Sequence, residues 1–143
     1  MRATREKFVL KGNAIGLLGG SFNPPHIGHV HITHQAIQIF GLNEVWWLVS
    51  PGNPLKLKKP IPSYLRVQEC RKIIKSPRVF VSDIENILNT HLTAKTLKKL
   101  FQLYPGVRFV WLMGADNLVN FHKWDQWTWI MENIPIGVMA RPE

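Results

Sequence analysis

The stretch that decides the fold is Gly19-Gly20-Ser21-Phe22-Asn23-Pro24-Pro25-His26-Ile27-Gly28-His29. Ahead of it, Asn13–Gly19 (NAIGLLG) is an apolar run that reads as a buried strand ended by two glycines. Behind it, Ile27 to Phe40 reads as a helix, with Pro24-Pro25 before its start and Gly41 as its C-terminal cap. Paired glycines let the backbone turn sharply and approach a ligand with no side chain in the way. Free N–H groups and the dipole of a helix start favour bound phosphate. At ~100° per residue, His26 and His29 project ~60° apart from the first turn. Ala36, Ile37 and Phe40 continue that side toward the sheet, while His31, His34, Gln35 and Gln38 fall on the wetter face. Gly28 between the two histidines leaves room for a phosphate, and a phosphate-bound imidazole tends to gain a second proton. A single histidine here would be an ordinary helix-start residue; two at this spacing after Gly-Gly point to an anion site. The G-x-G-x-x-G and Gly-Lys-Ser/Thr phosphate loops are both absent.

Working outward, the same alternation continues. Glu44–Ser50 (EVWWLVS) predicts a second strand. Pro51–Pro62 holds four prolines, a glycine and three lysines and is a loop. Ser63 is expected to cap a helix running to about Lys75, followed by a third strand at Arg78–Asp83. Thr93–Tyr104 has Leu97, Leu100, Phe101 and Tyr104 on one face and Lys95, Lys98, Lys99 and Gln102 opposite, an amphipathic helix. Val107–Met113 (VRFVWLM) has the continuous apolar pattern of a strand covered on both faces. Short helices are expected at Asp116–Phe121 and Gln126–Glu132, and a last strand at Ile136–Ala140. Strand and helix alternate throughout, so the fold class is α/β with a parallel sheet. Ligands of such sheets bind beyond the carboxyl ends of the strands, where the strand order switches.

Composition narrows the rest. The 143 residues make a single domain, 1–143, and 45% hydrophobic content supplies one core. No apolar run approaches the ~18 residues that cross a bilayer, and the start carries no secretory apolar stretch. One cysteine, Cys70, cannot form an internal disulfide, which favours a reducing cytoplasm and a buried structural thiol. The formal charge of +9 falls in short lysine groups rather than one stripe, a pattern of solvated faces more than of nucleic-acid contact.

Residues 19–29 resemble the G-G-x-F-[DN]-P-x-H-x-G-H signature of nucleotidyltransferases that transfer AMP or CMP without a covalent intermediate. The resemblance implies a Rossmann-like, doubly wound parallel sheet of about five strands. It implies that His26 and His29 bind the ATP phosphates and stabilise charge as pyrophosphate leaves. Gly19, Gly20, Ser21, Phe22 and Gly28 would complete that half of the ATP site. Asn23 stands where many members carry Asp, mainly as a turn-former, and is placed on the mononucleotide side.

Gly114-Ala115-Asp116 with Phe121-His122-Lys123-Trp124 is similar to the G-[AG]-D…F-x-x-W block of nicotinate-mononucleotide adenylyltransferases. Gly114 is expected to turn the chain after the fourth strand, and Asp116 to accept ribose hydroxyls of ATP. Trp124 offers a face for stacking a pyridine ring, worth ~1–3 kcal/mol by comparison with base stacking; the other five tryptophans read as packing residues. Asn89–Leu97 looks like the family's [SR]-Y-T-x-x-T-L element, with Thr93 as an N-cap beside the substrate and Leu92 in place of the frequent Tyr. Pro51–Lys56 resembles the loop after the second strand, where Lys56 would meet the mononucleotide phosphate. The likeness runs from Ile15 to Pro142.

What it implies is transfer of AMP from ATP to nicotinate mononucleotide, with Mg²⁺ travelling with ATP and no protein-built metal site. Neither nucleic acid nor membrane is an expected partner, and a homo-oligomer is left open. The competing readings are a pantetheine-phosphate adenylyltransferase or cytidylyltransferase, and a nucleotide-binding protein without turnover. Members of the family usually continue past the last strand to an I-S-[SA]-T-x-[IV]-R motif that grips ATP; these 143 residues contain no such run. The expectation is that the fold and the first half of the ATP site persist without it, and that activity depends on it.

Overall fold

The computed structural model describes residues 9–51 and 61–140. The elements run β1 (Ala14–Gly20), α1 (Ile27–Phe40), β2 (Glu44–Val49), α2 (Ser63–Ile73), β3 (Val79–Ser82), α3 (Ile84–Leu88), α4 (Thr93–Leu103), β4 (Arg108–Gly114), α5 (Ala115–Leu118), α6 (Trp127–Asn133) and β5 (Ile136–Met139), with a 3₁₀ turn at Phe121–Lys123. The five strands are all parallel, in the order β3-β2-β1-β4-β5. Chain direction across the sheet therefore reverses between β1 and β4, and the crevice at their carboxyl ends is the switch point.

Two cores cover the two faces, and the period-2 alternation of the strands sorts residues between them. Ala14, Leu18, Val45, Trp47, Val49 and Leu112 face the core shared with α1 and α2. Ile15, Leu17, Trp46, Leu48, Phe109, Trp111 and Met113 face the core shared with α4 and α6. The adjacent pair Trp46-Trp47 is thus split, one ring to each side, and both are essentially fully buried. Each removes on the order of 150–250 Å² from water, which makes β2 an anchor for both layers.

Most expected elements are present, with shifts of a residue or two at their ends. Gly41 does cap α1, at φ 60° and ψ 43°, its N–H bonded to Ile37 O. Ser63 does not cap α2: Pro62 holds that position, and the Ser63 hydroxyl instead donates to Asp83 at the end of β3 (3.1 Å). Of the two short helices expected after β4, the first is shortened to α5 with the 3₁₀ turn following it, and the second is α6. Helix α3 is an addition. Its pattern Ile84, Ile87, Leu88 between Asp83 and a left-handed Asn89 (φ 55°) was present in the sequence, but five residues are too few for periodicity to stand out.

Helix α3 is tied to α4 by a buried pair, the Thr96 hydroxyl donating to the Glu85 carboxylate at 2.6 Å. Burial pushes the Glu85 carboxyl above its ordinary value, and the Thr96 bond offsets part of that shift. A raised folded-state value means the native state holds the proton when the unfolded chain has released it. Stability from this group is complete below the unfolded value near 4.5 and is lost as pH rises through the higher folded value. Glu85→Gln keeps an acceptor for Thr96 and removes the charge. It is expected to raise the melting temperature at pH 7 relative to the parent and to flatten the decline of Tm above pH 5, read by thermal melts across pH. Parallel Tm–pH curves would contradict this.

Candidate functional site

At the carboxyl ends of β1 and β4 lies an open cleft of about 370 Å³. It is lined by Gly19 and Gly20 of β1, by Ser21, Phe22, Asn23 and Pro24 of the following loop, and by His26 and His29 of α1. From across the switch point come Gly114 and Asn117. Eight residues picked from sequence therefore meet in one place: Gly19, Gly20, Ser21, Phe22, Asn23, His26, His29 and Gly114.

The helix start is built differently from the expected run of bare amides. His26 is the N-cap of α1, and its Nδ1 accepts the Gly28 N–H at 3.1 Å. His29 reciprocates, its Nδ1 accepting the His26 N–H at 3.0 Å. The His29 N–H bonds His26 O at 3.0 Å. The amides of residues 26, 28 and 29 are thus committed inside the turn, which corrects the idea that they would meet phosphate directly. Gly28 is buried and does not line the cleft; its part is to supply the amide that fixes His26. With Nδ1 accepting, the proton of each neutral ring resides on Nε2. The imidazoles act as extensions of the helix end: they accept from its positive pole and carry an N–H donor on the far side of the ring. The doubly protonated form expected on phosphate binding would forfeit these capping bonds. The rings are 4.0 Å apart, centroid to centroid.

The loop between β1 and α1 is held by its aromatic residue. Phe22 is 1% exposed, stacks on Trp47 at 5.1 Å with planes 15° apart, and touches His29 at 4.5 Å. Its backbone takes φ 49°, a left-handed conformation unfavourable for a large side chain. The turn expected from the glycines is made here instead. Trp47 in turn donates its indole N–H to Thr33 Oγ1 (2.8 Å), which donates to His29 O (2.7 Å), so a buried relay fastens α1 to β2 beneath the histidines.

Gly19 and Gly20 both belong to β1, and Gly19 is needed for space rather than for turning. A Cβ on Gly19 would lie 2.7 Å from the Trp111 indole, whereas one on Gly20 would make ordinary contact with Phe22. Gly19→Ala is expected to cost about 1–3 kcal/mol by overpacking, since a buried ring cannot swing aside. Chemical denaturation would measure it; a loss under about 0.5 kcal/mol would show that the ring yields. Gly114 also sits in extended backbone (φ −73°, ψ 154°), open to any residue, so the tight turn expected there is not what it provides.

Behind the loop, Arg66 of α2 is 3% exposed. Its guanidinium donates to Ser21 O (2.8 Å), Ser50 O (2.6 Å) and Ile61 O (2.6 Å), joining the chain after β1, the chain after β2 and the entry to α2. Burial lowers its pKa from the ordinary arginine value, opposed by Cys70 and Asp83. Cys70, one turn on, is fully buried with its thiol pushed up to about 12 by burial, the state of an inert packing residue. Sequence reading missed Arg66, although its place beside Val67 and Cys70 on the inward face of α2 was a usable signal. Asn117 was missed too, one residue from the chosen Asp116.

The remaining expected residues lie elsewhere. Asp116 is exposed in the first turn of α5 and is flanked by the cleft-lining Gly114 and Asn117 without lining the cleft itself. Trp124 is half-buried, edge-on to Phe121 (5.1 Å) and Trp111 (6.1 Å), as part of the core under α6. Thr93 is not an N-cap: Leu92 occupies that position with no side-chain cap, and the nearby hydroxyl contact comes from Thr90, which accepts the Leu92 N–H at 3.3 Å. Lys56 lies outside the described residues. Among the described residues, no three His, Cys, Asp or Glu side chains group as a metal site, and no helix is long and apolar enough to cross a membrane.

A parallel sheet with order β3-β2-β1-β4-β5, opened at its switch point onto two cap-fixed imidazoles, defines a doubly wound α/β protein with its cleft where such sheets bind ligands. Comparison with known proteins specifies which. The cytidylyltransferase-like profile matches residues 17–143. A protein of Cereibacter sphaeroides named as a probable nicotinate-nucleotide adenylyltransferase is 59% identical over 128 residues, covering 90% of this chain and 68% of its own. One of the same name from Parvibaculum lavamentivorans is 47% identical over 139 residues, covering 96% and 69%. Among solved structures, a nicotinic acid mononucleotide adenylyltransferase of Plasmodium falciparum complexed with NaAD shares the fold at TM-score 0.71 and 18% identity, over 92% of this chain and 76% of that one. The chain belongs to the cytidylyltransferase-like family, and within it to the nicotinate-nucleotide adenylyltransferases.

Proposed function

We propose that this chain transfers the adenylyl group of ATP to nicotinate mononucleotide, forming deamido-NAD and pyrophosphate. A phosphate oxygen of the mononucleotide attacks the α-phosphorus of ATP; the bond from that phosphorus to the bridging oxygen breaks, and pyrophosphate leaves with the electron pair. Such a reaction needs alignment and charge stabilisation more than a covalent nucleophile. The observation that carries the reading is the reciprocal capping of His26 and His29 at the cleft. It holds both rings in one tautomer, so that Nε2–H groups are preset as donors to oxygens that gain charge during transfer.

Gly19 and Gly20 keep side chains out of the path of the phosphates. Ser21 and Phe22 supply backbone contacts, and Gly114 and Asp116 serve the ribose side of ATP. Asn23 is assigned to the mononucleotide, with Asn117 added as a cleft-lining amide; Thr93 and Trp124, which do not line the cleft, and Lys56 keep that assignment on the family resemblance alone. Mg²⁺ bound to ATP would neutralise triphosphate charge. Among the described residues, no carboxylate lines the cleft, so that donor set suits an ion carried by phosphates and water rather than a protein cage. A lone buried thiol suits a reducing compartment, which supports a cytoplasmic reaction.

The test is pyrophosphate release from ATP and Mg²⁺ with nicotinate mononucleotide, nicotinamide mononucleotide or 4′-phosphopantetheine in turn. Release that depends on the nicotinate compound is the expected result. Release only with phosphopantetheine overturns the substrate, and ATP binding without release under any condition overturns the reaction.

A further inference from the structure

We infer that Arg66 is a positioning residue of the phosphate cleft, whose buried guanidinium sets the direction of the Ser21–Phe22 peptide and with it the Phe22 amide that a bound triphosphate meets. The inference rests on the cleft being the ATP site proposed above.

Three carbonyls converge on Arg66, but only one belongs to a peptide with a hydrogen on its other side. Ser50 and Ile61 are each followed by proline, whereas Ser21 is followed by Phe22. In a planar trans peptide the C=O and the next N–H point in opposite directions. Drawing Ser21 O toward α2 therefore turns the Phe22 N–H away from α2. Ser21 and Phe22 line the cleft, and Arg66 does not.

The clamp also answers a question posed by Phe22. A left-handed φ of 49° on a phenylalanine persists only where its surroundings over-determine it. Rotation of the Ser21–Phe22 peptide changes ψ of Ser21 and φ of Phe22 together, and is the simple way for the chain to relax. The Trp47 stack restrains the ring but not the peptide. The bond from Arg66 to Ser21 O restrains the peptide. Charge adds to geometry: among the described residues no carboxylate forms an ion pair with the guanidinium, although Asp83 acts on it at longer range, so a buried cation held by three carbonyls sits behind the loop and favours an anion in front of it. A planar fork of donors can hold three carbonyls at once, which a lysine ammonium cannot do in the same arrangement.

The fold contains its own control. Arg78 likewise clamps carbonyls, Asn43 O (3.2 Å) and Leu42 O, but at the amino end of β2, away from the cleft. The experiment measures affinity of the full chain for α,β-methylene-ATP with Mg²⁺ by calorimetry, alongside Tm, for the parent, Arg66→Lys and Arg78→Lys. Arg66→Lys is expected to weaken binding by about tenfold or more, whereas Arg78→Lys lowers Tm and leaves the dissociation constant unchanged. In the parent, the Phe22 amide resonance is expected to shift on addition of the analogue, a reading that stands even if Arg66→Lys fails to fold. Parent binding combined with an unmoved Phe22 amide, or with equal affinity in a folded Arg66→Lys, overturns the inference alone. No binding by the parent overturns the ATP-site reading and this inference together.

Discussion

His29→Asn is expected to fold normally and to lose about 100–1000-fold in turnover, the range seen when one preset donor to a developing oxyanion is removed. The two nitrogens of His29 have separable duties. Nδ1 accepts the His26 N–H and closes the helix start, and an asparagine oxygen can stand in its place. Nε2 carries the ring proton, and asparagine is too short to replace it. His29→Gln divides the functions the other way: its longer amide reaches toward the Nε2 position but not the Nδ1 one. Loss of the cap is then expected to cost about 0.5–2 kcal/mol of stability, while more of the turnover survives than in the asparagine variant. Steady-state pyrophosphate release with melting curves reads both effects. Asparagine turnover within about threefold of the parent would remove His29 from the chemistry.

Phe22→Ala should be the most damaging single change to the site's architecture. The ring is fully buried between Trp47 and His29, and deletion of such a ring costs about 3–5 kcal/mol. For a chain of this size that lowers the melting temperature by on the order of 10 °C. Alanine also retains a Cβ at a left-handed φ while losing the packing that held it there. Phe22→Leu, which keeps most of the apolar volume, is expected to lose less than half as much. Equal melting temperatures for Phe22→Ala and the parent would mean that the loop is set by Arg66 and the histidine caps without the ring.

Legibility differed from residue to residue for physical reasons. The strand ending in Gly19-Gly20 and the helix from Ile27 to Gly41 were readable because apolar periodicity, prolines and a glycine cap are local signals. The two histidines were readable as a pair because three residues of helix bring them to one side. What they bond to was not readable, since an imidazole can cap its own helix or leave its amides to a ligand at equal spacing. Thr93 and Ser63 went wrong alike: each is a good capping residue, but the residue before it took the cap position. Trp124 matched a motif, but whether an indole faces a ligand or a core depends on Trp111 and Phe121, which arrive from other elements.

By itself, the order of residues determined an α/β sheet, the placing of a cleft with two histidines after its first strand, and the family, because each follows from contacts among near neighbours or from a contiguous motif. Only the tertiary structure decided that Gly19 yields space to Trp111, that Phe22 rather than glycine makes the turn, and that Arg66 holds the loop from 45 residues away. Those depend on which surfaces the folded chain presses together, and close packing between distant segments leaves no periodic trace in either one.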